Sequence, residues 1–61
     1  MFKTGEKVYY PRYGKAIIEA IEDREVMGVV QPYFILKCLE RSATIMIPEN
    51  MIELAGLRRE S

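Results

Sequence analysis

Ala43-Thr44-Ile45-Met46-Ile47-Pro48 is the stretch of this 61-residue chain whose alternation decides what the rest must be. Successive side chains of a β-strand face opposite ways, so if Ile45 and Ile47 enter a core, Thr44, Met46 and Pro48 leave it. That puts a methionine in the open. Pro48 has no N–H to give to a ladder and belongs at a strand end or on an edge strand. The stretch therefore reads as an edge strand with an apolar outer side, and its exposed methionine poses the question of whether a partner covers it.

Working upstream, Tyr33-Phe34-Ile35-Leu36-Lys37-Cys38-Leu39 is a third strand opened by Gln31-Pro32. Placing Lys37 outside puts Tyr33, Ile35 and Leu39 outside with it and sends Phe34, Leu36 and Cys38 to the core. A two-residue loop at Arg41-Ser42 then sets Cys38 opposite Ile45, Leu36 opposite Ile47, Lys37 opposite Met46 and Ile35 opposite Pro48. Further upstream, Lys15 to Val26 predicts a long second strand. Its apolar spacing of three between Ile18 and Ile21 predicts a β-bulge near Glu19-Ala20. Ile17, Ile18 and Ile21 also fit a helical stripe, the competing reading of this segment. Met27-Gly28 marks the next turn, and a two-residue loop counted at Gly28-Val29 sets Arg24 opposite Tyr33 and Glu22 opposite Ile35. Both turns give one outer surface, and Arg24, Val26, Tyr33, Ile35, Met46 and Pro48 are its candidate partner-binding residues. Apolar side chains that converge beside an open edge favour an interface over chance exposure.

The first strand is Lys7-Val8-Tyr9-Tyr10, followed by turn chemistry at Pro11-Arg12-Tyr13-Gly14. Downstream, Glu49 to Leu54 reads as a helical turn plugging the fold with Met51, Ile52 or Leu54, and Gly56-Leu57-Arg58 as a last short strand. The expected fold is all-β: a small five-stranded, strongly bent Tudor-like barrel with one short helical turn before the last strand.

A chain this short forms one domain, residues 1–61, and buries only about 60% of its unfolded surface. It has one cysteine and no histidine. No internal disulfide can form, the usual zinc spacings are absent, and the common catalytic triads cannot be built, so neither a metal, a cofactor nor an enzyme is expected. Cys38 reads as core filler, and Glu22, Asp23 and Glu25 as solvated acids. Nothing resembles a signal or a membrane span, which makes a cytoplasmic location the expectation. Nine basic and nine acidic residues cancel, so strong DNA binding by this domain alone is not expected. Tyr9, Tyr10 and Tyr13 with Arg12 and Lys15 supply an alternative, a small-barrel nucleic-acid platform. The open edge also permits weak self-association.

The run Phe2-Lys3-Thr4-Gly5-Glu6-Lys7-Val8-Tyr9-Tyr10-Pro11, Gly14, Ile21-Glu22, the turn from Val26 to Gly28, Tyr33-Phe34-Ile35-Leu36, Ile45-Met46-Ile47-Pro48 and Gly56-Leu57-Arg58 occur here in one order. Together they resemble the N-terminal RNA polymerase interaction domain of the CarD/CdnL family, which is shared with the transcription-repair coupling factor. The resemblance covers nearly the whole chain. Tyr10-Pro11 and Gly56-Leu57-Arg58 look more like CarD/CdnL than like the coupling factor, whose equivalent domain is the alternative. The resemblance implies a Tudor-like barrel that docks on the β subunit of bacterial RNA polymerase through a sheet edge. By position it assigns the contact to Arg24, Val26, Met46 and Pro48, while Tyr33 and Ile35 come from the register alone. Some members carry a basic residue at the position of Met46, so the contact here is expected to be more apolar. CarD/CdnL proteins continue into a helical C-terminal domain that contacts promoter DNA and helps stabilise the open complex. That domain is absent from this sequence, which reads as a docking domain, a fragment or a natural short form, expected to bind polymerase without stabilising open promoters by itself.

Overall fold

Five crossings of one sheet make up most of the molecule. The computed structural model describes residues 2–59. In it β1 spans Lys7–Tyr10, β2 Gly14–Val26, β3 Val29–Cys38, β4 Thr44–Pro48 and β5 Arg58–Arg59. A 3₁₀ turn over Glu49–Met51 and a helix, α1, over Ile52–Ala55 precede the last strand. All pairings are antiparallel, in the order β4-β3-β2-β1-β5. The expected fold is the one observed, and the segment with the ambiguous isoleucine stripe is strand throughout. β4 and β5 are the two edges and do not pair with each other.

The bulge lies where the spacing of three predicts it. Ile18 stands opposite Leu36, Ala20 opposite Ile35 and Ile21 opposite Phe34, leaving Glu19 as the extra residue. The other side of Ile18 is held by the lead-in to β1: its carbonyl accepts from the Gly5 N–H at 2.7 Å and its N–H donates to the Glu6 carbonyl at 3.0 Å. Bulges increase bend and twist, and the bend is visible in the core. Val8, Ala16, Ile18, Phe34, Leu36, Ile47, Ile52 and Leu57 form one buried cluster. It includes Ile47 from one edge strand and Leu57 from beside the other, so the sheet curls round it. Full burial of side chains such as Phe34, Ile18, Leu36 and Val8 is worth about 1.5–3 kcal/mol each. Phe2 packs edge-on against Phe34, ring centres 6.4 Å apart. Cys38 is a buried free thiol.

The expected plug, one of Met51, Ile52 or Leu54, is Ile52, which is buried, whereas Met51 is 44% and Leu54 79% exposed. Helical residues are about 100° apart around the axis, so Met51 and Leu54, three residues apart, share one side and Ile52 points to another. Gly56, left-handed at φ 75°, ends the helix, its N–H on the Glu53 carbonyl at 3.1 Å.

Both hairpin registers differ from expectation by two residues. The β2–β3 turn is Met27-Gly28, at φ 53° and 82°, the pair of positive values that a two-residue type I′ turn requires. Arg24 therefore stands opposite Gln31 and Glu22 opposite Tyr33. The β3–β4 loop is longer than two residues: the Cys38 N–H donates to the Ala43 carbonyl at 3.0 Å, and the Ala43 N–H to that of Arg41 at 2.8 Å. Tyr33 thus faces Pro48, Phe34 faces Ile47, Ile35 faces Met46 and Leu36 faces Ile45. A slip of two preserves the face of every residue and changes only its partner.

Candidate functional site

The six candidate residues lie on the non-core side of the sheet, in successive rows. Ala20, Ile35 and Met46 form one row, and Glu22, Tyr33 and Pro48 the next. Beyond the end of β4 the row of Arg24 and Gln31 follows, then Val26 and Val29 at the hairpin tip. The four residues Tyr33, Ile35, Met46 and Pro48 are thus contiguous. Arg24 and Val26 lie farther out, by about 7 and 14 Å at 3.4 Å per residue.

Exposure divides the set. Met46 is 44% and Val26 46% exposed, whereas Tyr33 and Ile35 are each only 8% exposed. Their placement on the outer face is as expected, but their accessibility is not. They sit on β3, which is paired on both sides, and the side chains of Ala20 and Met46, and of Glu22 and Pro48, flank them. Tyr33 and Ile35 are the floor of the patch, and Met46 and Pro48 its rim. Arg24 is exposed and paired with Glu22, Nη2 to Oε1 at 2.6 Å.

Beside the rim runs a shallow groove of about 640 Å³ lined by Tyr10, Arg12, Met46, Pro48, Met51 and Leu54, among others. Met51 and Leu54, the residues that do not plug the core, thus extend the apolar surface of Met46 along the open edge. Sequence reasoning missed this groove. The signal available to it was the impossibility of pointing Met51, Ile52 and Leu54 the same way. It also missed the hairpin tip, where Met27 is 96%, Val29 56% and Val30 64% exposed. The β-branched pair Val29-Val30 directly after a Met-Gly turn was the cue that β3 begins there.

The alternative aromatic platform does not assemble as one surface. Tyr9 is exposed on the outer face, opposite Lys15. Tyr10 packs against the core and stacks on Tyr13 at 5.4 Å, and Arg41, not Arg12, lies over the Tyr13 ring at 5.6 Å. Among the described residues, no group of three His, Cys, Asp or Glu side chains could hold a metal, and no helix is long and apolar enough to cross a membrane.

Comparison with known proteins agrees on one family. The family model described as the CarD-like/TRCF RID domain matches residues 2–61. The candidate transcription factor YdeB of Bacillus subtilis (strain 168) is 36% identical over 58 residues, which is 95% of this chain and 38% of that protein. The chain therefore spans well under half the length of this relative. The solution structure of the 72-residue N-terminal domain of Myxococcus xanthus CarD superposes with a TM-score of 0.74 at 29% identity, covering 97% of this chain and 79% of that one.

Proposed function

Because the chain belongs to the CarD-like/TRCF RID domain family, a family of RNA polymerase interaction domains of transcription factors rather than of enzymes, we propose that it docks on the β subunit of bacterial RNA polymerase through its β4 edge. The observation that carries this reading is the exposed side of Met46 on an unpaired edge strand, continued by Pro48, Met51 and Leu54. An extended strand of the partner adds to β4 by main-chain hydrogen bonds, and side chains at alternate positions supply specificity. Met46 is the apolar anchor. Pro48 marks the end of the ladder, since it has no N–H to donate. Tyr33 and Ile35 act from beneath, holding that rim in place, while Arg24 and Val26 extend the contact along the hairpin.

In the longer proteins that carry this domain, docking places a further, DNA-contacting part at the promoter, where it supports the open complex in the cytoplasm. The likeness to the CarD N-terminal domain favours this role over repair by a coupling factor. The test is a titration of the fluorescently labelled chain with purified β subunit, beside Met46→Ala, Pro48→Ala and Met46→Asp. The expected result is binding by the parent chain that both alanine variants weaken and Met46→Asp reduces at least about tenfold, as burial of an unpaired carboxylate demands. Equal binding by all four chains, or none by the parent, would reject the proposal.

A further inference from the structure

The other half of the outer face has a different character. On the ladder, Arg58 stands beside Tyr9 and Tyr9 beside Lys15. One pleat away Lys7 stands beside Ile17, Ile17 beside Lys37, and Lys37 beside Thr44. Directly opposed residues share a face, so Lys7, Lys15, Lys37 and Arg58 converge round Tyr9 on the non-core side, all of them exposed. Neither row contains an acid, and the nearest acid along β2 on this side is Glu19 at the bulge. The ion pairs of the described residues join Arg24 to Glu22 and Arg59 to Glu6, and the three lysines take part in neither. The chain as a whole is neutral. Four cations on one face are therefore a segregation of charge, not an excess of it.

We propose that this face is a second binding surface, for the phosphate backbone of duplex DNA. Sheet geometry sets the two rows about 7 Å apart and the two cations within each row about 10 Å apart, across two strands. Phosphates recur about every 3.4 Å of axis on each DNA strand and wind round it, so cations at these separations reach different phosphates. The aliphatic content of the face is small beside its charge: the half-buried Ile17 lies within the two rows, and the exposed Leu39 continues the Lys15 row at the end of β3. The face is poorly suited to single strands. The guanidinium of Arg58 lies 5.6 Å over the Tyr9 ring, covering the surface on which an unpaired base would stack. Four contacts give weak binding at physiological salt, in keeping with a domain that does not grip DNA strongly alone. The surface becomes effective when another contact already holds DNA nearby.

The experiment is fluorescence anisotropy of the 61-residue chain with a labelled mixed-sequence duplex of about 30 base pairs, from about 20 to about 200 mM salt. The expected result is binding at low salt whose logarithm falls against log salt with a slope of about −3.6 for four phosphates. Lys7→Gln, Lys15→Gln and Lys37→Gln each flatten that slope by about 0.9 and weaken binding on every sequence. Arg41→Gln, in the β3–β4 loop over the Tyr13 ring and off the face, leaves both unchanged. Thermal melts at the parent midpoint establish that the variants are folded. No binding at the lowest salt, an unchanged slope in the three lysine variants, or tighter binding to a single strand or an acidic peptide of equal charge would overturn the proposal.

Discussion

The two edges of this sheet are built to opposite specifications. β5 is two residues long and both are arginines. Arg59 is ion-paired to Glu6, and Arg58 lies over Tyr9. Short length and charge are the means by which proteins keep an edge from recruiting a foreign strand. β4 spans five residues, carries Met46 outward beside an apolar groove, and has no charged side chain at all. One fold thus contains a defended edge and an open one. The difference lies in side chains and length.

The largest effect should come from the inward side of β4. Ile47→Ala is expected to cost about 2–5 kcal/mol by denaturant unfolding, a large share of the roughly 3–9 kcal/mol that holds a chain of this size together. Its neighbour should behave oppositely: Met46→Asp is expected to change stability by no more than about 0.5 kcal/mol while it weakens the proposed docking at least about tenfold. If Met46→Asp unfolded the chain as Ile47→Ala does, the division of β4 into a core side and a docking side would fail. A third substitution removes the defence of β5. Arg58→Val combined with Arg59→Val should produce concentration-dependent association in sedimentation velocity, absent from the parent chain. The smallest effect concerns Glu6. Its carboxylate accepts the Lys3 N–H at 3.0 Å and pairs with Arg59, which together hold it below its ordinary value of 4.5 against a smaller opposing effect of desolvation. A lowered folded-state value means that the stabilisation is present above the ordinary carboxylate range and is lost as pH falls through the folded value. Thermal melts of Glu6→Gln should therefore lie slightly below the parent at neutral pH and converge with it in acid.

What could be read from the chain alone followed from parity. Alternation in Ile45-Met46-Ile47 and Phe34-Ile35-Leu36 assigned each residue to its face, and the three-residue spacing from Ile18 to Ile21 located the bulge. The partner of each residue was less legible, because partners depend on loop length. Nothing in Glu40-Arg41-Ser42-Ala43 announced that the Cys38 N–H would reach the Ala43 carbonyl. Since both registers slipped by two, the patch kept its membership on one face, with Tyr33 moved from Arg24 to Glu22 and Ile35 from Pro48 to Met46. Depth was the least legible property. Period two says that Tyr33 and Ile35 point outward, but their 8% exposure reflects what flanks a central strand on both sides, and that depends on strand order. The groove beside β4 and the basic rows round Tyr9 were hidden for the same reason. Both join residues far apart in the chain, such as Tyr10 with Met46 and Lys7 with Lys37.

Glu19 has a consequence of its own. Because Ile18 and Ala20 already stand opposite the consecutive residues Leu36 and Ile35, deleting Glu19 would leave every cross-strand partner of β2 and β3 in place. Only the kink would go. The chain thus encodes its pairing and its curvature separately: the register of β2 and β3 does not depend on the extra residue, whose contribution is to bend the strand round the cluster that holds Ile47 and Leu57.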